Sequence, residues 1–162
     1  MSERVYGIKT PIRLEYNYTA GRARSAFLRA LAERKLIGQR CPECRSVYVP
    51  PGGSCPTCGV PLEEQVELPD TGTITMFCIV NLPFYGQQIK PPYVCASIRL
   101  DGADTTLFHL VQEVPAEEVR MGMRVEAVWV PPEELEPSLE SIRYFRPTGE
   151  PDAPLATDGR AG

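Results

Sequence analysis

The chain has 162 residues, 43% of them hydrophobic, enough for one moderate core but with no apolar run as long as a membrane span. A net charge of -4 and a pI near 5.1 argue against a protein devoted to nucleic acid, which is normally basic. Seventeen prolines and thirteen glycines imply many turns, so a mostly β fold is expected.

Residues 1–18 read as an N-terminal arm. Tyr6, Ile8, Ile12, Leu14, Tyr16 and Tyr18 alternate with polar residues over much of it, and such an arm needs a surface to lie on. Met1 to Thr10 carries no apolar signal-peptide core, so a reducing cytoplasmic setting is expected. Residues 19–38 read as a helix, from about Gly21 to Leu36, with Thr19 as N-cap and Gly38 as its stop. Ala23, Phe27, Ala30 and Leu31 share one face, with Leu28 at its edge. Arg22, Arg24, Arg29, Glu33, Arg34 and Lys35 cover much of the rest; this basic surface reads as a solvated face, with contact to an acidic partner or to phosphates as the alternative.

Residues 39–69 hold the most specific signal. Cys41, Cys44, Cys55 and Cys58 stand in the order C-x2-C-x10-C-x2-C. Thiolates two residues apart grip one side of a tetrahedral ion, and two such pairs close its shell. Pro42, Pro56 and Gly59 place both pairs in turns. One structural Zn2+ per chain is therefore expected, with no open position for substrate. Two disulfides are the rival reading, and they belong to secreted proteins. Val47 to Val49 make a short strand that ends at Pro50-Pro51, and Glu63 to Pro69 lead out of the ribbon.

Residues 70–147 change to strand patterns. Runs at 73–82, 93–100, 105–112, 124–130 and 138–145, with a helical turn at 115–119 after the third, match the element order of a five-stranded OB-fold barrel. Cys78 and Cys95 lie in apolar runs and read as small buried hydrophobes. His109 is the lone histidine and has no convincing catalytic partner. No Gly-rich phosphate loop, G-x-S-x-G elbow or H-E-x-x-H motif occurs. By elimination the chain reads as a binding or accessory subunit with no catalytic residue. Residues 148–162 are small, polar and Pro/Gly-rich, and read as a disordered tail.

The motif order resembles a known family. Lys35-Leu36-Ile37-Gly38-Gln39-Arg40-Cys41 runs from the helix into the ribbon, and Pro50-Pro51 and Cys55-Pro56-Thr57-Cys58-Gly59 follow. Gly72-Thr73-Ile74, Pro92-Tyr93, Gly122-Met123-Arg124-Val125 and Tyr144-Phe145-Arg146-Pro147 then mark the barrel. From about Gly21 to Pro147 this is similar to the acyl-CoA-associated proteins that join a helix, a rubredoxin-like zinc ribbon and an OB fold. That family was long filed as a domain of unknown function. Its members are partner subunits of thiolase-like enzymes and of steroid side-chain aldolases, and some work in aromatic-compound degradation.

The resemblance implies a non-catalytic subunit that stabilises a thiolase-like enzyme and helps form its acyl-CoA channel, as a heterotetramer with two copies of each chain. It makes Phe84, Tyr85, Lys90 and Tyr93 in the 81–93 connection, with Gly122 and Met123, the candidate acyl-CoA or partner contacts. Two departures stand out. Arg45 replaces a glycine that many members have after the second cysteine, so that knuckle is expected to turn differently. Gly52 stands where many have an arginine. A nucleic-acid-binding zinc-ribbon/OB module is the alternative. Tyr85, Tyr93 and Phe108 offer stacking rings, with few basic residues beyond Lys90, Arg99 and Arg124.

Overall fold

The computed structural model describes Gly7 and residues 14–154. Most of the expected N-terminal arm, including Tyr6, Ile8 and Ile12, lies outside the described residues. Leu14, Tyr16 and Tyr18 are described and stand exposed.

Helix α1 spans Gly21–Ala32. Phe27 and Leu31 are buried, and Ala26, Leu28 and Ala30 pack partly against the same core. Complete burial of a side chain as large as Phe27 or Leu31 contributes roughly 1.5–3 kcal/mol. The helix is shorter than expected at its C-terminal end. Arg34 adopts φ 57°, its N–H bonds to the Leu31 carbonyl, and the Lys35 N–H reaches back to Ala30. This is a Schellman ending in which an arginine takes the left-handed position that glycine usually fills. Gly38 is not the stop, and Thr19 is not the cap. The capping residue is Ala20, which supplies no side-chain hydrogen bond.

Leu36 instead opens strand β1, Leu36–Arg40, the centre of a three-stranded antiparallel sheet. Its neighbours are β2, Val47–Tyr48, and β3, Glu64–Leu68. The segment read as a lead out of the ribbon is thus a strand paired along the whole of β1. Gly38 is needed here for space. A Cβ at this position would lie 2.8 Å from Val47 Cγ1 and 3.1 Å from the Tyr48 carbonyl oxygen.

The remaining strands are β4, Thr71–Val80; β5, Tyr93–Leu100; β6, Leu107–Val111; β7, Arg124–Trp129; and β8, Ile142–Pro147. They close a barrel in the order β4-β5-β6-β8-β7. All pairings are antiparallel except β6 with β8, where Val111 opposes Phe145. A 3-10 turn at Ala116–Glu118 follows β6, as an OB fold requires. Ile74, Ala96, Ile98, Val125, Ile142 and Phe145 fill the interior, each at most 1% exposed.

Ribbon sheet and barrel share one core. Phe27, Leu31, Leu36, Ile37, Val47 and Val49 belong to the same buried cluster as the barrel residues. The β5–β6 turn also clasps β2. The Val47 N–H donates to Asp104 Oδ2 at 2.7 Å and the Asp104 N–H to the Val47 carbonyl at 2.9 Å. The Val49 N–H donates to Thr105 Oγ1 at 2.7 Å, and that hydroxyl donates to the Val49 carbonyl at 3.0 Å.

The start of the expected disordered tail is ordered. Arg120 holds Asp152 with two bonds of 2.6 and 2.8 Å, Arg124 Nε reaches Glu150 at 3.2 Å, and the Ala153 N–H donates to the Gly122 carbonyl at 2.8 Å. Polar composition misled here because ion pairs and main-chain bonds, not apolar burial, fix residues 148–154. The rest of that expected tail, 155–162, lies outside the described residues.

Candidate metal centre and exposed barrel face

The ribbon is built from two knuckles of the same geometry. In the first, the Arg45 N–H donates to the Cys41 carbonyl at 3.1 Å and the Cys41 N–H to the Ser46 carbonyl at 2.9 Å. In the second, Gly59 bonds to Cys55 at 2.9 Å and Cys55 to Val60 at 2.8 Å. Arg45 has φ 63° and Gly59 φ 71°. The first knuckle therefore does not turn differently, as the missing glycine had suggested. Arg45 accepts the left-handed conformation, and one contact there is a Glu64 carboxylate 3.7 Å from Nη1.

These turns bring all four Sγ atoms within 4.8 Å of one another. Cys44 and Cys55 Sγ are 3.7 Å apart, close to the roughly 3.8 Å edge of a tetrahedron whose Zn–S bonds are about 2.3 Å. The donor set fits one Zn2+, which would supply a structural cross-link with no free coordination position. Cys41 and Cys55 are buried, whereas Cys44 and Cys58 are exposed.

The surroundings already distinguish the thiols. Hydrogen bonds from Ser46 lower Cys44 to about 6, while desolvation and then the other ribbon cysteines push Cys58 up to about 12. Tyr48 was not singled out from the sequence, yet its hydroxyl lies 3.2 Å from Cys55 Sγ and 4.0 Å from Cys44 Sγ. That contact lowers Cys55 and raises Tyr48 itself to about 12. A hydroxyl donor beside the sulfurs stabilises thiolate charge. Its signal was the strand position between the knuckles, which aims alternate side chains at the metal.

The barrel presents a different surface. Residues directly opposed in the ladders share a face. Met76 opposes Ser97, which in turn opposes Phe108; Cys78 opposes Cys95, which opposes Leu110; and Val80 opposes Tyr93. These eight side chains form an outward face with no charged group. Met76 is 65% and Phe108 61% exposed. At its end the 81–92 connection adds Leu82, Phe84 and Tyr85, all exposed. Cys78 is exposed and Cys95 half-buried, so neither is the buried hydrophobe expected from its run. The stretch Met76 to Val80 is apolar throughout, and alternation alone does not say which side faces inward.

His109 faces inward, its ring edge-on to Phe145 at 5.8 Å between centroids. The Leu110 N–H donates to Nδ1 at 2.9 Å, and Nε2 lies 3.5 Å from the Leu139 carbonyl. Burial lowers its pKa. The neutral Nε2–H tautomer suits both contacts, and main-chain atoms occupy both nitrogens.

Comparison with known proteins agrees with this architecture. Residues 29–63 match the rubredoxin-like zinc ribbon domain of ChsH2, and 65–130 match the ChsH2 C-terminal OB-fold domain. A DUF35 domain-containing scaffold protein of Methanocaldococcus jannaschii is 35% identical over 95 residues, covering 58% of this chain and 67% of the relative. The chain belongs to the DUF35 family. A probable enoyl-CoA hydratase alpha subunit of Thermomonospora curvata is 31% identical over 121 residues, 75% of this DUF35 chain. The match spans only 36% of that relative. A solved chain of an Ltp2-ChsH2(DUF35) aldolase superposes with TM-score 0.59 at 28% identity, covering 83% of this chain and 98% of its own. A Sulfolobus solfataricus DUF35 structure of unknown function, at 22% identity and TM-score 0.59, shares the fold; the match covers 78% of this chain and 84% of that one.

The DUF35 fold does not bring all the candidate contact residues together. Phe84, Tyr85 and Lys90 are exposed on the connection, and Tyr93 is half-buried where β5 begins. Gly122 and Met123 are buried and pair with Ile74 near the other end of β4. Six residues of strand, roughly 20 Å, separate Ile74 from Val80. A Cβ on Gly122 would lie 2.9 Å from the Ala153 carbonyl oxygen, so the 148–154 segment covers this turn.

Proposed function

We propose that this chain is a non-catalytic accessory subunit of a thiolase-like acyl-CoA enzyme, a thiolase or a retro-aldolase. It docks through the outer face of β4, β5 and β6 and the 81–92 connection. The uncharged exposed face carries this reading, because a free surface bearing Met76, Phe108, Leu82, Phe84 and Tyr85 is stabilised when another protein covers it. The ribbon's closed thiolate set and the main-chain-bound His109 leave the described residues without a nucleophile–base pair. Relatives named as a scaffold protein and as part of an aldolase support the accessory role. The catalytic groups then belong to the partner, and the connection borders its acyl-CoA entrance, with Lys90 near the ligand's phosphates.

Nucleic acid suits the face less well. Its aromatic rings have no cation among the eight strand positions, and Arg124 is bound to Asp101 at 2.6 and 2.7 Å.

The test is co-expression with a thiolase-like enzyme from the same operon, followed by size-exclusion chromatography and acyl-CoA turnover. A stable complex with two copies of each chain is expected, weakened by Phe108→Asp or Tyr85→Asp, with no turnover by the isolated chain. Separate elution together with full partner activity in its absence overturns the reading. So does turnover by this chain alone.

A further inference from the structure

The outward face carries two cysteines that the ribbon does not use. Cys78 on β4 and Cys95 on β5 are direct cross-strand partners, both on the outer side. Directly opposed residues in an antiparallel ladder have Cα atoms about 4.5 or 5.5 Å apart. Both spacings fall within the roughly 4.4–6.8 Å that a disulfide spans. Their Cβ atoms lie on one side of the sheet, so no backbone reversal is needed to join them. Cys78 is open to solvent, and Cys95 lies half-buried beside it. Desolvation and then the neighbouring Cys78 raise the pKa of Cys95, so the two thiols sense each other and Cys95 is the poorer first nucleophile.

We propose that Cys78 and Cys95 form a reversible redox modification site, a cross-strand dithiol that closes to a disulfide by exchange with a low-molecular-weight disulfide. In the first step the Cys78 thiolate attacks one sulfur of the small disulfide. That S–S bond breaks, a small thiolate leaves and takes up a proton, and Cys78 holds a mixed disulfide. Cys95 then loses its proton, and its thiolate attacks the Cys78 sulfur and expels the second small thiol. Two protein thiols become one disulfide while one small disulfide becomes two thiols, so the electrons balance with no further oxidant.

The same geometry makes the bond easy to reopen. Cβ atoms of opposed residues lie about 4.5–5.5 Å apart, wider than the roughly 3.8 Å a relaxed disulfide prefers. Closure must draw β4 and β5 together, and strained, exposed disulfides are the readily reduced ones. The site is reachable while the face is free. If the face docks as proposed above, closure belongs to the undocked chain; that consequence alone rests on the functional reading.

The experiment uses the isolated zinc-loaded full chain, so it is independent of any partner. The chain is incubated with glutathione disulfide, alkylated, and mapped by intact mass and peptide analysis. Cys78 and Cys95 are expected to lose alkylation together and to appear as one intramolecular cross-link. Reduced glutathione reverses it, and zinc content is unchanged. Cys95→Ser is expected to stop at a glutathione adduct on Cys78, and Cys78→Ser to react more slowly at Cys95. Persistent adducts on the wild-type chain, cross-links only between chains, or closure only after zinc is lost would each overturn the proposal.

Discussion

Arg45 sits in a backbone region that costs a non-glycine residue roughly 1–2 kcal/mol. Its ion pair with Glu64 is exposed and 3.7 Å long, and such pairs contribute little. Arg45→Gly is therefore expected to raise stability by about 1 kcal/mol, read as a higher urea midpoint at unchanged zinc content. A lower midpoint would mean that the arginine side chain, not the turn, matters there. Tyr48 is a different case, since its hydroxyl lies against the sulfurs. Tyr48→Phe keeps the ring and removes the donor, and should weaken zinc by about tenfold or more in a chelator competition. Equal affinity in both proteins would remove the hydroxyl from the metal's support. His109 gives a pH signature. Burial lowers its folded pKa, so below the unfolded value of 6.5 the unfolded chain binds a proton that the fold resists. Stability should be full above that value and decline as pH falls from it toward the folded pKa. His109→Gln should flatten this decline in urea titrations between neutral and mildly acidic pH, and an unchanged slope would assign the decline to other groups.

At the scale of elements, the cysteine spacing and the strand order were legible because each follows a short-range rule. Two thiols two residues apart need a turn, and β-branched alternation needs a sheet. The helix end was not legible, because Arg34 took a conformation that sequence assigns to glycine while a real glycine, Gly38, lay four residues on. Gly38 serves close packing of β1 against β2 instead. Gly38→Ala should cost roughly 1–3 kcal/mol, seen as a lower melting temperature, since its Cβ overlaps the side chain and backbone of β2. A melting temperature equal to the parent's would show that β2 can shift aside. β3 was missed because its residues, Glu64 to Leu68, are mostly charged or polar and only its pairing with β1 makes it a strand. The exposed candidate residues on the connection were legible as a loop. The burial of Gly122 and Met123 was not, because it depends on a segment thirty residues further along the chain.

For the whole molecule, the shared core means that the ribbon and the barrel do not stand as separate bodies. Val47 and Val49, which flank Tyr48 at the sulfurs, belong to the buried cluster that the barrel residues form. Removing zinc with a chelator should therefore destabilise the barrel as well, and thermal unfolding followed by Trp129 fluorescence should move as one transition to lower temperature. A barrel transition that keeps its temperature after zinc is removed would show the two to be independent. The clasp from Asp104 and Thr105 has a consequence of another kind. β2 ends the ribbon sheet, and a free sheet margin is a template on which a second molecule can add a strand. Two side chains of the barrel turn occupy the hydrogen-bonding positions that such a strand would use. These residues thus guard the protein against self-templated aggregation, a duty that would show in its solubility when crowded or freshly synthesised.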